Sequence, residues 1–329
     1  MSTSVCSPKE ILRHSLNSLC RPYDVTSRRP KHVSMASLDV QKSQVAGVQT
    51  RRSLGIGILL SHIFDMSDSK AYAAGTSGTH SVRWSYEFEG QDWTGECSRG
   101  RNQSPIDFSN SPKRNSRAVA DGKAFEISYP KVIHGCTIEN NGHGSPQINM
   151  PKVLSSQPGS EHHPYVSLNG HTYNLVQVHF HCPSEHSFEG YHGDVEAHLV
   201  HADQEGRFLV VAIIMQSNEK AIGKQPYLSA LLQTALDQVP DSPGQAYMAK
   251  TPIKLHEIMN NSNQHYNYYK GSLTTPPCSE PVEWIVSTMP QSVSASQVLR
   301  LQRLTSSGRT LSLNSRRTQS SEARPVREL

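Results

Sequence analysis

The sequence predicts a β-rich fold with short surface helices. The chain of 329 residues contains 20 prolines and 21 glycines, which interrupt helices and favour turns. Several segments have the alternating or continuous apolar pattern of strands, and helical periodicity is modest. At 35% hydrophobic and 18% charged residues, the composition is that of an ordinary soluble globular protein with a polar bias.

The positive charge of the chain is concentrated at its amino-terminal end. Residues 1–73 hold ten of the 32 Lys and Arg residues and five of the 28 Asp and Glu residues, a net charge of +5. The remainder holds 22 and 23, a net charge of −1. A nucleic-acid-binding protein carries its basic residues on the folded domain, so this distribution argues against nucleic acid as a partner.

The amino-terminal segment resembles two targeting signals in series. Up to Ser53 it is rich in serine and basic residues and poor in acidic ones, as organellar transit peptides are. Arg51-Arg52, a mostly apolar stretch from Leu54 to Phe64, and Ala71-Tyr72-Ala73 then follow. This order is typical of a twin-arginine export signal. The apolar stretch is shorter than the ~20 residues that span a bilayer, so we expect no transmembrane span.

A transit peptide followed by an export signal is what a protein of the chloroplast thylakoid lumen carries. We therefore expect residues 1–73 to be a disordered, bipartite targeting segment, and residues 74–329 to form the folded domain. The alternative location is secretion. The N-x-S sequons at Asn102 and Asn260 matter only on a secretory route, so glycan analysis discriminates between the two.

Strand and helix patterns follow one another through the folded part. Lys131–Glu139 alternates well enough to be a strand, and Phe208–Met215 is a continuous apolar run, typical of a strand buried on both faces. Helical periodicity is limited to Leu228–Val239 and Gln297–Leu304.

A histidine-rich strand is predicted between Leu175 and His181, which contains no glycine or proline. Side chains alternate faces along a strand, so Gln177, His179 and His181 share one face.

A second predicted strand, Val195–His201, places Glu196 and His198 on one face by the same rule. The intervening loop, Pro183–Asp194, contains proline, two glycines and several charges, and can reverse the chain. If the two strands are antiparallel neighbours, three histidines converge on one patch.

Three converging imidazoles suit a catalytic zinc ion, which takes three protein ligands and leaves a fourth position open to water. His179, His181 and His198 are the candidate ligands. A ligating histidine needs its other ring nitrogen held by an acceptor, and Gln177 and Glu196 lie two residues from a ligand on the same face.

Six motifs extend along the chain in a fixed order. They are WSYEFEG at 84–90, GRNQSPIDF at 100–108, NNGHG at 140–144, QVHFHCPSEH at 177–186, VEAHLVH at 195–201 and GSLTTPPCSE at 271–280. In order and spacing they resemble the α-class carbonic anhydrases, from about Trp84 to the carboxyl terminus, roughly three quarters of the chain. With the predicted leader, the sequence is most similar to the thylakoid-lumen type of plants and algae.

The resemblance implies a central, twisted, mostly antiparallel sheet with short helices on its surface. It implies a zinc enzyme, a lyase that reversibly hydrates CO2 to bicarbonate and a proton by attack of a zinc-bound hydroxide. CO2 and bicarbonate are the expected partners, and protein partners are not readable from the sequence.

The resemblance also assigns roles to individual residues. It implies a proton shuttle (His143), an orienting pair for the nucleophile (Thr274 and Glu185), a tyrosine on the floor of the site (Tyr86), a ligand of bicarbonate or water (Thr275) and an apolar wall for CO2 (Val200, Val210, Leu273, Val282 and Trp284).

The family resemblance pairs two of the six cysteines. In many non-cytosolic relatives the positions of Cys97 and Cys278 form a disulfide, so we expect this bridge here. Cys136 and Cys182 are expected to be buried thiols rather than a second bridge. Arg316-Arg317 matches a tail that packs against the domain in the family.

Two other protein classes are compatible with parts of the pattern. His179-x-His181-x3-Glu185 resembles part of a cupin motif, in which Glu185 would be a ligand and the metal iron or manganese. A non-catalytic, carbonic-anhydrase-like binding protein is the second alternative, since family members that lost zinc ligands act as interaction modules. Metal content separates the three.

Overall fold

A computed structural model describes most of the chain beyond the predicted leader. The described residues are 84–108, 113–114, 125–151, 163–219, 227–255, 258, 265–306, 313–321 and 324–329. The predicted targeting segment, residues 1–73, lies outside them, as does the expected start of the mature chain near Ala74.

The described part of the chain is mostly strand. The strands are β1 (Lys113–Arg114), β2 (Phe125–Ser128), β3 (Thr137–Asn140), β4 (Pro146–Asn149), β5 (Tyr165–Leu168), β6 (His171–His181), β7 (Ser187–Phe188), β8 (Tyr191–His192), β9 (Val195–Ala202), β10 (Phe208–Ser217), β11 (Ala246–Met248), β12 (Tyr266–Gly271), β13 (Val282–Ser287), β14 (Gln291–Val293) and β15 (Val326–Glu328). The helices are α1 (Glu96–Arg99), α2 (Tyr227–Gln238) and α3 (Ala295–Ser306).

Thirteen of these strands form one large sheet. Its main path is β1-β15-β12-β13-β10-β9-β6-β4-β3-β11. Three further strands pair outside this path: β5 with β6, β2 with β5, and β14 with β10. Most pairs are antiparallel, and the parallel ones are β1–β15, β10–β13 and β10–β14. The expected β-rich fold with a mostly antiparallel central sheet is confirmed.

One face of the sheet packs on the main apolar core. Four in-register residues on β3, β4, β6 and β9 belong to it: Ile138, Ile148, Val178 and Leu199. Leucines of α2 and α3, such as Leu232 and Leu301, complete this core. Each such side chain contributes about 1.5–3 kcal/mol when it is fully buried, so these rows fix which face is the inner one.

The strand predicted over 131–139 is wrong in its first half. Only Thr137–Asn140 pairs as β3, and Ile133 makes an isolated bridge to Ile253. Gly135 has a φ of +78°, a conformation that ends regular extended backbone. The loop predicted between the histidine strands also contains the short hairpin β7–β8.

Both predicted helices are present within two residues of their expected ends. Helices α2 and α3 have 12 residues each. Among the described residues, no helix has the length and apolar character needed to cross a membrane.

Candidate metal centre

Adjacent antiparallel strands bring the three candidate ligands together. In the register of β6 and β9, His179 lies opposite His198, and His181 lies opposite Glu196. One ring nitrogen from each of His179, His181 and His198 lies within 4.8 Å of the others. A bulge between Leu175 and Gln177 precedes the ligands, which lie in the regular pairing beyond it.

Each of the three rings has its outer nitrogen paired with an oxygen atom. The pairs are His179 Nδ1 with Gln177 Oε1 at 2.8 Å, His198 Nε2 with Glu196 Oε1 at 2.8 Å, and His181 Nδ1 with the Asn314 carbonyl oxygen at 2.7 Å. Gln177 and Glu196 therefore lie where the sequence places them. The remaining nitrogens, two Nε2 and one Nδ1, face one another.

This arrangement of the rings suits a cation. A ring nitrogen that faces a carbonyl oxygen must donate, so in neutral His179 and His181 the Nε2 atoms present lone pairs. These two Nε2 atoms are 3.0 Å apart. Two lone pairs at that distance repel each other unless a positive ion lies between them.

The three candidate ligands are also held in the neutral form that metal binding requires. Burial is the main cause, and it lowers the pKa of His181 to about 4 and that of His179 well below its usual value. The pKa of His198 is lowered by burial too, although the Glu196 carboxylate opposes this shift.

The Glu196 carboxylate holds one candidate ligand, His198, together with the neighbouring residues Glu185 and His186. Its Oε1 accepts from His198 and from His186 Nδ1 at 2.6 Å, and its Oε2 accepts the backbone N–H groups of Glu185 and His186. Burial opposes ionisation of Glu196, but the two histidines outweigh it and hold its pKa well below the usual range. Beyond it, His186 Nε2 lies 2.7 Å from the Tyr269 hydroxyl.

Glu185 is a fully buried carboxylate beside His179, His181 and His198, which we call the metal cluster. Its Oε1 accepts the backbone N–H of Arg316 at 2.8 Å, whereas its Oε2 has no hydrogen-bond partner of ordinary geometry among the described residues. Burial raises its pKa to about 7, and the nearby Thr274 hydroxyl is among the groups that lower it. Glu185 and Thr274 are therefore neighbours, with one carboxylate oxygen left to accept.

The expected apolar wall is a compact cluster next to the ligands. Val210 on β10 pairs in register with Val200 on β9 and with Trp284 on β13. Val282 is buried in the same cluster, and Leu273 packs against it. The Trp284 ring lies 5.0 Å from the ring of His198, so the apolar surface borders the metal cluster directly.

His143 stands in the turn between β3 and β4. Its ring stacks on Trp84 with a centroid distance of 3.9 Å and an interplanar angle of 16°. Asn141 Oδ1 accepts the backbone N–H of His143, which fixes the turn. Partial burial lowers the pKa of His143. Burial and the nearby Glu185 hold the pKa of Tyr86 well above its usual range, so its phenol stays neutral.

The disulfide between Cys97 and Cys278 is present, as predicted. Its backbone is tied into the site: the Arg316 guanidinium donates to the Cys97 carbonyl at 2.7 Å, and Gln103 Nε2 donates to the Cys278 carbonyl at 3.0 Å. The backbone N–H of Cys278 donates to the Thr275 carbonyl at 2.8 Å. The bridge thus holds the loop that contains Thr275.

The two other described cysteines are buried free thiols, as expected. Burial raises the pKa of Cys136 and of Cys182 to about 12, so neither is a reactive thiolate. Cys136 Sγ contacts Met150 Sδ at 3.9 Å.

Several residues of the site were not found from the sequence. The carbonyl of Asn314 and the backbone N–H of Arg316 contact the site through main-chain atoms, which leave no residue-type signal. His186 carried a signal, because it stands in the same motif as the ligands. Glu139 carried no signal in the sequence, although it is a buried carboxylate on the face of the sheet that carries the three histidines.

Comparison with known proteins agrees with this geometry. A family model described as eukaryotic-type carbonic anhydrase matches residues 89–329. A carbonic anhydrase of Pectobacterium carotovorum is 33% identical over 230 residues, which cover 68% of this chain and 83% of the relative. Alpha carbonic anhydrase 5 of Arabidopsis thaliana is 31% identical over 231 residues, 70% of this chain and 75% of the relative.

Solved structures show the same fold. The carbonic anhydrase Cah3 from Chlamydomonas reinhardtii, solved in complex with acetazolamide, has a TM-score of 0.61 and 30% identity, and covers 78% of this chain and 99% of its own. Dioscorin complexed with ascorbate has a TM-score of 0.56 and 26% identity, with coverage of 71% and 88%.

Proposed function

Because the chain belongs to the eukaryotic-type carbonic anhydrase family, we propose that it catalyses the reversible hydration of CO2 to bicarbonate and a proton. His179, His181 and His198 would hold a zinc ion for this reaction. The observation that carries the proposal is the set of three neutral imidazoles, each with its outer nitrogen paired with an oxygen atom and its inner nitrogen facing the other two.

A bound zinc ion would supply the nucleophile, since in carbonic anhydrase zinc lowers the pKa of a bound water to about 7. The residues of this chain would hold the ion in a fixed geometry. Gln177, Glu196 and the Asn314 carbonyl orient the three rings, and three neutral ligands would leave the ion its full charge.

Thr274 and Glu185 would orient the nucleophile. An ionised carboxylate only accepts hydrogen bonds, and Glu185 Oε2 has no other partner. If the Thr274 hydroxyl donates its single proton to that oxygen, its own lone pairs are left to accept. Thr274 then accepts from a donor in the site and disfavours anions that cannot donate.

The remaining side chains would either contact the substrate or take part in proton transfer. The apolar wall of Val200, Val210 and Trp284 suits CO2, which is neutral and weakly polar. Thr275 would bond to bicarbonate or water. Tyr86 would hold water on the floor of the site, and His143 would pass the proton to bulk solvent, because an imidazole exchanges protons near neutral pH.

The decisive experiment compares His179→Ala with His171→Ala, an exposed histidine on the same strand. We expect one zinc per chain and rapid CO2 hydration in the wild type and in His171→Ala. His179→Ala should lose both, because two imidazoles do not complete the donor set. Metal analysis and stopped-flow CO2 hydration measure the two properties.

The same measurements separate the alternatives. Zinc without hydration would leave the non-catalytic binding protein, and iron or manganese would favour a cupin-type metalloprotein. Absence of any metal from the wild type would contradict the zinc enzyme.

We further propose that the protein works in the chloroplast thylakoid lumen, on the basis of the two consecutive signals in residues 1–73. An acidic lumen would favour dehydration of bicarbonate. A tagged full-length protein found in the stroma or secreted would contradict this location.

A further inference from the structure

The face of the sheet that carries the histidines also carries a buried carboxylate, Glu139. Its neighbour Ile138 belongs to the apolar core on the opposite face, in register with Ile148, Val178 and Leu199. Because side chains alternate along a strand, Glu139 lies on the same face as His179 and His198.

Two amide side chains of β4 lie between Glu139 and the strand that carries His179. Asn149 Nδ2 donates to Glu139 Oε2 at 2.9 Å, and Gln147 Nε2 donates to Asn149 Oδ1 at 2.7 Å. Asn149 lies in register with Gln177, whose Oε1 pairs with His179 Nδ1. We call Glu139, Gln147, Asn149 and Gln177 the polar strip.

Two members of the polar strip, Glu139 and Gln177, are as buried as the residues of the site. Glu139, Gln177 and Thr274 are each 5% exposed. Neighbouring strands are about 4.8 Å apart, so β3 lies about 10 Å from β6, across β4. A few water molecules along the strip would be enough to connect Glu139 with the metal cluster.

We propose that Glu139 is a second proton-exchanging group of this site, beside His143. The inference rests on the proposed CO2 hydration. In that reaction a C–O bond forms between CO2 and a water-derived oxygen, and the O–H bond of the water breaks. The proton would pass through water along the polar strip to the Glu139 carboxylate and from there to bulk solvent, and dehydration would reverse these steps.

The surroundings of Glu139 leave few competing groups among the described residues. Strand β4 has only uncharged side chains. On β11, Ala246 lies opposite Glu139, and Tyr247 lies opposite Ile138, on the other face. The titratable side chains of His179, His198 and Glu196 lie on the same face as Glu139, and His143 stands in the turn that follows β3.

The two groups should be separable by substitution. With His143 removed, proton transfer through Glu139 should persist, and removing Glu139 as well should take it away.

The test measures 18O exchange between CO2 and water by the zinc-loaded protein, which separates CO2–bicarbonate interconversion from proton transfer. We expect His143→Ala to retain a proton-transfer component. Adding Glu139→Gln should reduce that component about tenfold or more. Glu139→Asp should retain it, and Glu126→Gln, an exposed carboxylate on β2, should have no effect.

A purely structural role is distinguished by the choice of variants and by a second readout. In Glu139→Gln the new side-chain amide can still accept the hydrogen bond from Asn149, so this substitution preserves the contact while removing the titrating group. Infrared difference spectra should show a carboxyl band that changes with pH and is absent in Glu139→Gln.

Three results would overturn the proposal: an unchanged proton-transfer component in the double variant, a Glu139→Asp variant that behaves like Glu139→Gln, or no carboxyl band that changes with pH. With an active wild type, these results would leave the proposed function intact. A zinc-loaded wild type that does not hydrate CO2 would overturn both.

Discussion

His201 is a buried histidine on the core side of the ligand strand β9. Its Nδ1 lies 3.3 Å from the Leu209 carbonyl, and its Nε2 lies 2.8 Å from the Tyr129 hydroxyl. Since the carbonyl can only accept, Nδ1 donates and Nε2 accepts from the tyrosine. Burial lowers the pKa of His201 to about 3, which agrees with a neutral ring held by two hydrogen bonds.

This pKa makes the stability of the protein depend on pH. Unfolded histidine has a pKa of about 6.5, so below that pH the unfolded state binds a proton that folded His201 does not. Stability should therefore fall as pH decreases from about 6.5 towards 3. Between pH 7.5 and 5 the loss due to His201 is about 2 kcal/mol.

Urea unfolding at pH 7.5 and 5 tests this expectation. His201→Gln should lose less stability on acidification than the wild type, by about the amount above. His192→Gln, an exposed histidine, should follow the wild type. An equal pH dependence in wild type and His201→Gln would contradict the assignment.

At the scale of elements, the end of helix α3 restrains the turn that holds His143. Gly144 has a φ of +81°, and a Cβ there would lie 2.6 Å from Thr305 Cα. Gly170 has the same φ of +81° with nothing within 4 Å of its Cβ position. The two glycines differ in packing and share their backbone conformation.

Alanine at each position separates strain from packing. Both substitutions carry the cost of a left-handed conformation, about 1–2 kcal/mol. Gly144→Ala must also displace α3, which adds about 1–3 kcal/mol. We expect lower stability in Gly144→Ala than in Gly170→Ala by urea unfolding, and slower proton transfer in Gly144→Ala alone. Equal losses of stability in the two variants would mean that α3 moves away from the new methyl group at no cost in free energy.

The strands around the site show how much of the structure the sequence could predict. The ligand strands were predictable because a period of two places His179 and His181 on one face whatever the neighbouring strands are. The strand over 131–139 was overextended, because alternation alone does not reveal that Gly135 adopts a positive φ. The contact between His181 and the Asn314 carbonyl could not be predicted, because it joins residues 133 positions apart and depends on tertiary packing.

At the scale of the whole molecule, the Cys97–Cys278 bridge joins α1 to the loop between β12 and β13, 181 residues away in sequence. Reduction should lower the free energy of unfolding by about 2–4 kcal/mol. It should also reduce kcat/KM, because the loop with Thr274 and Thr275 loses its tether.

Urea unfolding and CO2 hydration with and without reductant measure both effects. A Cys97→Ser/Cys278→Ser variant should match the reduced protein and should not respond to reductant. If reductant changed the stability or activity of that variant, the reductant would be acting on another group. If it changed neither property in the wild type, the bridge would be dispensable.

Asn314 and Arg316 follow all three candidate ligand histidines by more than 100 residues. The histidines are therefore synthesised well before this segment, yet their oxygen acceptors and the support of Glu185 are complete only when it has docked. A nascent chain from which this segment has not yet emerged has the full ligand motif and an unfinished site. A premature stop codon just before Asn314 would give a product that looks complete by its histidines and lacks one of their three anchors.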